Sequence, residues 1–297
     1  MTIKNRHFGD RLAASLRSTG TPLCVGIDPH RGLLPALFTA GDPITGLRHF
    51  AMNVVEAARG LVPAVKPQAA MFEAFSQQGL AALADTAQAA KEAGLLVIMD
   101  AKRGDIGSTS AAYAQAYLAA DAPFVSDALT INPWMGLDTI MPFLEVAEAA
   151  GNGLFILVRT SNEGAADLQE LPTSDETVYE HLANRLAPLA TRMVGESGTS
   201  SLGIVAGATV PEQAEHLRAT LPHSPFLIPG FGAQGAGPAH ATIALGKEDG
   251  CFTGGLVNSS RGIIFCDAAQ HAQNHEQHQA AMRDAIRTQI ALLQTAY

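Results

Sequence analysis

The sequence is short of several things that would decide its class. It has one tryptophan, four tyrosines and three cysteines in 297 residues. Cys24, Cys251 and Cys266 show no C-x-x-C spacing and leave an odd count, so neither a disulfide framework nor a zinc knuckle is expected. Lysine is scarce: Lys4, Lys66, Lys91, Lys102 and Lys247 are all there are. With a formal net charge of −9, the chain lacks the basic face that nucleic acid or an anionic membrane surface requires, although a local anion site is compatible with it. No apolar run reaches the roughly 20 residues of a membrane span, and the N-terminus lacks the apolar core of a signal peptide. A cytoplasmic protein with reduced thiols is the expectation. What is abundant is alanine and glycine in a 47% hydrophobic chain, which suits a packed α/β enzyme and not a disordered segment.

Eight apolar runs read as strands: Pro22–Asp28, Val62–Lys66, Leu95–Asp100, Ala128–Asn132, Leu154–Thr160, Leu202–Ala206, Pro225–Pro229 and Leu256–Ser259. Between the first two, Leu47, Phe50, Ala51, Val54, Val55 and Ala58 recur at helical spacing, with Asp42-Pro43 as cap and first-turn proline. The tail from His271 to Tyr297 places Met282, Ala285, Ile286, Ile290 and Leu293 on one stripe and so reads as a closing helix. No Pro/Gly/Ser-rich linker divides residues 1–297. Eight βα units predict a single (β/α)8 TIM barrel domain with extra N- and C-terminal helices, an open doubly wound sheet being the alternative.

Barrel enzymes keep their chemistry at the C-terminal ends of the strands. There this sequence puts Asp28, Lys66, Asp100 with Lys102, Asn132, Ser161, Thr209, Gln234 and Arg261. Alternation along a strand directs Asp100 and Lys102 to the same side, and Asp105 follows within one turn. Asp100, Lys102 and Asp105 together with Lys66 form an alternating set of carboxylates and ammoniums, in which each charge holds its neighbours ionised and a lysine can deliver a proton to a forming carbanion. A plain salt-bridge network capping a strand has the same spacing. Glycine-rich Pro229–Gly237 and Asn258-Ser259-Ser260-Arg261-Gly262 follow the seventh and eighth strands, where barrels often hold phosphate, and Arg261 offers a bidentate contact. Asp28 could accept from a sugar hydroxyl or form a turn before Pro29. Ser108 or Thr109 reads as a helix N-cap, and Ser161-Asn162 as a turn or cap. His271, His275 and His278 fall on a solvated helix face and are not expected to hold metal.

Asp100-Ala101-Lys102-Arg103-Gly104-Asp105-Ile106-Gly107-Ser108-Thr109 resembles the signature of the orotidine 5′-phosphate decarboxylase family, in its longer bacterial branch. The resemblance extends through Gly26-Ile27-Asp28, Val65-Lys66-Pro67, Leu129–Pro133, Arg159–Asn162, Pro229–Gly232 and Ser260-Arg261-Gly262. Ser108 stands where the shorter members carry asparagine. The resemblance implies decarboxylation of orotidine 5′-phosphate to uridine 5′-phosphate with no cofactor and no metal. It implies Lys102 as the proton donor to C6, Asp100 beside the substrate carboxylate, and Lys66 in the charge array and on ribose with Asp28. Ser161 would bind the pyrimidine edge, and Gln234 and Arg261 the phosphate. In a homodimer with shared sites, Asp105 and Thr109 would reach into the partner's pocket. Two rivals remain. A metal-dependent sugar-phosphate enzyme of the same superfamily shares Asp-x-Lys-x-x-Asp, but with a carboxylate where Lys66 stands here. A non-catalytic phosphometabolite sensor would need the glycine loops but not the charge array.

Overall fold

The computed structural model describes residues 7–207, 211–231 and 237–296. Its strands are β1 (Leu23–Ile27), β2 (Ala64–Pro67), β3 (Leu96–Arg103), β4 (Ala128–Ile131), β5 (Gly153–Arg159), β6 (Leu202–Ala206), β7 (Phe226–Ile228), β8 (Gly246–Glu248), β9 (Cys251–Thr253) and β10 (Gly255–Ser259). Eight of them close a barrel in the order β1-β10-β7-β6-β5-β4-β3-β2, and every neighbouring pair is parallel. The eight predicted strands are these eight, with no end displaced by more than three residues and Leu202–Ala206 reproduced at both ends. Parallel strands covered on both faces must be apolar throughout, which is why short continuous runs rather than alternation marked them.

Two apolar compartments follow from closure. Outside the barrel, helices pack on the strands; helix Pro43–Ala58 buries all six residues of its predicted stripe, and Asp42 accepts the Thr45 N–H as its cap. Inside, a separate cluster of Cys24, Ala64, Leu96, Ile98, Ala128, Phe155, Val205, Leu227 and Leu256 fills the bore. The N-terminal helix Phe8–Thr19 seals the bottom by inserting Phe8, Leu12 and Leu16 into that cluster. Phe8 fits because Gly153 has no side chain: a Cβ there would lie 2.2 Å from the Phe8 ring. Arg11 from the same helix pairs with Asp127, whose other oxygen accepts the Val97 N–H at 2.8 Å. With the bottom plugged, the open end is the one where the strands point their C-termini.

Three expectations differ from the structure. The hairpin β8–β9 was not foreseen, although its turn, Asp249-Gly250 with φ of +50° and +79°, is the Asp-Gly signal of a two-residue hairpin. Helix Gly107–Leu118 is not capped by Ser108 or Thr109; Ile106 occupies the cap position, and Ser110 Oγ donates to the Asp105 carbonyl instead. His278 does not face solvent. In helix His275–Gln294 the inward stripe runs His278, Met282, Ile286, Leu293, so His278 continues an apolar face by one turn. It is fully buried, with its ring 4.8 Å from Phe38, and Asn53 Nδ2 lies 3.3 Å from its Nδ1.

Burial, with His275 close by, lowers the His278 pKa to about 4. Above the ordinary histidine value near 6.5 the ring is neutral in both folded and unfolded chains. As pH falls from 6.5 to about 4, the unfolded chain takes up a proton that the folded one refuses, so stability is lost across that window. We expect urea unfolding to show His278→Gln losing less stability than the wild type between those two pH values, by about 2 kcal/mol. Parallel profiles would remove His278 as the cause.

Candidate active site

Adjacent strands bring the charged residues together at the open end. Gly26 of β1 pairs in register with Lys66 of β2, and Gln68, just past β2, bridges to Asp100 of β3. Asp100 and Lys66 are each 5% exposed. Four donors converge on the Asp100 carboxylate. Lys66 Nζ lies 2.6 Å and Gln68 Nε2 3.1 Å from Oδ2, while Lys102 Nζ lies 2.5 Å and Thr130 Oγ1 3.0 Å from Oδ1. Burial alone would raise the Asp100 pKa, but the Lys66 and Lys102 ammoniums outweigh it and hold the carboxyl well below the usual range. Lys66 shows the converse: burial works against its charge, and Asp100 with Asp28 keeps it protonated above the ordinary lysine value. In the bore below, burial pushes the Cys24 thiol up to about 12, so it stays a neutral small hydrophobe.

Lys102 reaches this position through a distorted backbone. Its φ is +47°, and the pairing of β3 with β4 shifts register between Met99 and Arg103. A left-handed conformation at a residue other than glycine costs on the order of 1 kcal/mol or more and persists where the surroundings enforce it. Here the Lys102 N–H donates to Thr130 Oγ1 at 2.9 Å, the same hydroxyl that donates to Asp100. Two residues on, Gly104 must be glycine, because a Cβ would sit 2.6 Å from the Asn132 carbonyl oxygen. Asn132 itself turns the next loop by accepting the Trp134 N–H.

A cavity of about 320 Å³ opens over the array. Six of the sequence-predicted residues line it: Asp28, Lys66, Asp100, Lys102, Ser161 and Arg261. Asp105 and Thr109 do not; Asp105 Oδ1 accepts the Ile106 N–H at 2.8 Å, and Thr109 is exposed on the following helix. Thr209 and Gln234 lie outside the described residues. Asn258 and Ser260, foreseen only as part of the loop after the eighth strand, also line the cavity, as do Gln68 and Thr130, to which the sequence reading gave no role. The floor is apolar, from Leu157, Val205 and Leu227. On the β1–β10 seam, Asp28 Oδ1, Asn258 Oδ1 and Ser260 Oγ are buried with no hydrogen-bond partner among the described residues. Buried polar atoms are rarely left unpaired in a folded protein, so three of them converging on a cavity mark where a ligand's donors belong.

The arrangement offers fixed positive charge, acceptors for hydroxyls and an arginine at one rim. Residues 21–274 match the orotidine 5′-phosphate decarboxylase / HUMPS family. This chain belongs to that family. It is 41% identical over 271 residues to orotidine 5′-phosphate decarboxylase of Rhodopirellula baltica, covering 87% of this chain and 88% of the relative. It is 43% identical over 257 residues to that of Streptomyces coelicolor, covering 86% and 89%. A Streptomyces avermitilis crystal structure assigned to the same enzyme superposes with a TM-score of 0.80 at 40% identity, covering 98% of each chain. The resemblance drawn from the Asp100–Thr109 motif is therefore borne out, as is the closed barrel.

Thr130 gives a direct test of the array. Thr130→Val keeps the shape but leaves the Lys102 N–H unpaired and removes a donor from Asp100, a cost of about 1–3 kcal/mol. Turnover of the family's substrate should fall at least about tenfold, and Tm should drop by a few degrees; unchanged turnover in the folded variant would show that Lys102 does not need this anchor.

Proposed function

We propose that the protein removes CO2 from orotidine 5′-phosphate to give uridine 5′-phosphate in pyrimidine biosynthesis, without a cofactor and with Lys102 as proton donor. Family membership makes the chain a carboxy-lyase. The observation that carries the finer reading is the buried Asp100 carboxylate held ionised between two ammonium groups under a cavity of nucleotide-binding character. The C6–carboxylate bond breaks, its electron pair stays on C6, and CO2 leaves. The ring stabilises that pair poorly, so a cation fixed beside C6 before the reaction supplies the stabilisation. Lys102 then passes a proton to C6, and solvent restores it. The substrate carboxylate entering beside Asp100 meets a like charge that its departure relieves.

The remaining lining residues divide by chemistry. Arg261 suits the phosphate, together with Gln234 by resemblance. Asp28 and Lys66 suit ribose hydroxyls, and Ser161 the pyrimidine edge. A buried ammonium at Lys66, paired with Asp100, repels a divalent cation, which supports the metal-free reading over the Mg²⁺-dependent rival. The net charge of −9 argues against nucleic acid as a partner, while Lys66, Lys102 and Arg261 supply the local positive charge that a small anionic substrate needs. No helix among the described residues is long and apolar enough to cross a membrane, and a cytoplasmic site of action fits.

The same reading makes the protein one barrel domain across residues 1–297 and a homodimer with shared sites. Asp105 and Thr109 stay outside their own cavity, on a segment that also presents Ile106, 62% exposed. Trp134 and Met135 on the next loop are 70% and 46% exposed, an apolar surface suited to a second copy that would receive Asp105 and Thr109 in its pocket.

Loss of orotidine 5′-phosphate absorbance in the presence of EDTA should be rapid for the wild type and reduced by orders of magnitude in Lys102→Ala. Turnover that needs added Mg²⁺ would instead favour the metal-dependent rival, and tight phosphate-ligand binding without turnover would favour the sensor. Arg261→Ala should mainly raise KM. Mixing the two inactive variants Lys102→Ala and Asp105→Ala should restore up to about a quarter of wild-type activity if sites are shared across a two-fold interface; no recovery despite subunit exchange would place Asp105 in its own protomer's site or in none.

A further inference from the structure

The long connection from Ser161 to Ser201 contains no residue that the proposed reaction uses beyond Ser161 itself, yet it returns to the cavity wall at one point. Gln169 closes on Thr160 with both ends of its amide: Oε1 accepts the Thr160 N–H at 2.8 Å, and Nε2 donates to Thr160 Oγ1 at 2.9 Å. Because acceptor and donor are both engaged, the amide has one orientation. The Thr160 hydroxyl then has its proton free for Asn162 Oδ1, 2.7 Å away. Thr160, Ser161 and Asn162 all line the cavity.

Gln169 is itself held on both sides. Its N–H donates to the Ala165 carbonyl at 2.8 Å, and its carbonyl accepts from Tyr179 N–H, at 3.0 Å, where helix Val178–Arg192 begins. Its neighbour Glu170 pairs with the buried Arg159 at the end of β5 and accepts from Gln213 Nε2 at 3.1 Å. On the opposite side Ser161 has no slack. A Cβ at Gly207 would stand 3.0 Å from Ser161 Cα and Cβ, and the Gly207 N–H donates to the Arg159 carbonyl at 2.8 Å. Ser161 is thus gripped between the glycine end of β6 and a threonine whose rotation Gln169 prevents.

We infer that Gln169 is a positioning residue: by clamping Thr160 it sets the Ser161 hydroxyl for the pyrimidine base, while the ribose and phosphate contacts across the barrel do not depend on it. This rests on the proposed reaction, in which Ser161 meets the base. A clamp serving the base alone should discriminate between ligands that have the base and ligands that lack it.

The test compares uridine 5′-phosphate with ribose 5-phosphate, measured by calorimetry on the wild type, Gln169→Leu and Gln169→Glu. Leucine keeps the volume and removes both hydrogen bonds. Uridine 5′-phosphate should bind about tenfold more weakly to Gln169→Leu, with KM for orotidine 5′-phosphate raised by a similar factor and kcat changed less. Ribose 5-phosphate should bind as to the wild type, within about twofold. Gln169→Glu retains an acceptor for the Thr160 N–H and should recover part of the loss. Equal weakening of both ligands, or of neither, in folded Gln169→Leu overturns the clamp. Wild-type protein that neither binds uridine 5′-phosphate nor turns over orotidine 5′-phosphate overturns the reaction and the clamp together, whereas normal wild-type turnover with a uniform or absent Gln169 effect overturns the clamp alone.

Discussion

One carboxylate organises the open end of this barrel. Asp100 is nearly dry, and an ionised carboxylate in that position is sustained only by the donors around it. Those donors come from three consecutive strands and the segments just past them: Lys66 and Gln68 from the second, Lys102 from the third, Thr130 from the fourth. The barrel's closure is what places them within reach of one another. Removing the carboxylate would leave two ammoniums in the same small volume with only Asp28 nearby to offset them. The left-handed backbone at Lys102 belongs to the same constraint, since a strand that continued its regular alternation would not need the bend by which Lys102 Nζ meets Asp100 Oδ1 within two residues.

How much of this the sequence carried follows from the length scale of each interaction. Eight buried parallel strands announce themselves as apolar runs because, away from the open end, both faces are covered, and the Asp-x-Lys-x-x-Asp set was visible because its members lie within six residues. Gln68 and Thr130 were invisible for the opposite reason. Each is an ordinary polar residue near a strand end, and its partner lies 32 or 30 positions away. His278 shows a different limit. A histidine continuing an apolar stripe looks polar by composition, yet position on the helix decides its burial, and Asn53 and the rings of Phe38 and Phe50 complete a pocket that no local pattern encodes.

The site also sorts charge against a net-negative background. Lys66, Lys102 and Arg261 concentrate positive charge at the cavity of a chain that is −9 overall, while the β1–β10 seam presents acceptors at Asp28 Oδ1 and Asn258 Oδ1 beside the Ser260 hydroxyl, which can donate or accept. A phosphate has no strong donor to offer such acceptors at neutral pH and is repelled by Asp28. Hydroxyls satisfy them. On the proposed reaction, donor and acceptor sign would separate the parts of the substrate before shape is considered, with the apolar floor of Leu157, Val205 and Leu227 left for a surface that needs no hydrogen bonds.

The two lysines of the array are not equivalent, and the difference bears on which one suits the proton transfer of the proposed reaction. The Lys66 side chain is 6% exposed and held by Asp100 and Asp28, both of which favour its charged form. A proton taken from Lys66 would be costly to remove and slow to return, since the ammonium has almost no contact with water. The Lys102 side chain is 46% exposed and touches Asp100 through one oxygen only. A donor that must be recharged in every cycle needs a route to solvent, and a group whose task is to keep its neighbour ionised needs none. Lys102 matches the first requirement and Lys66 the second.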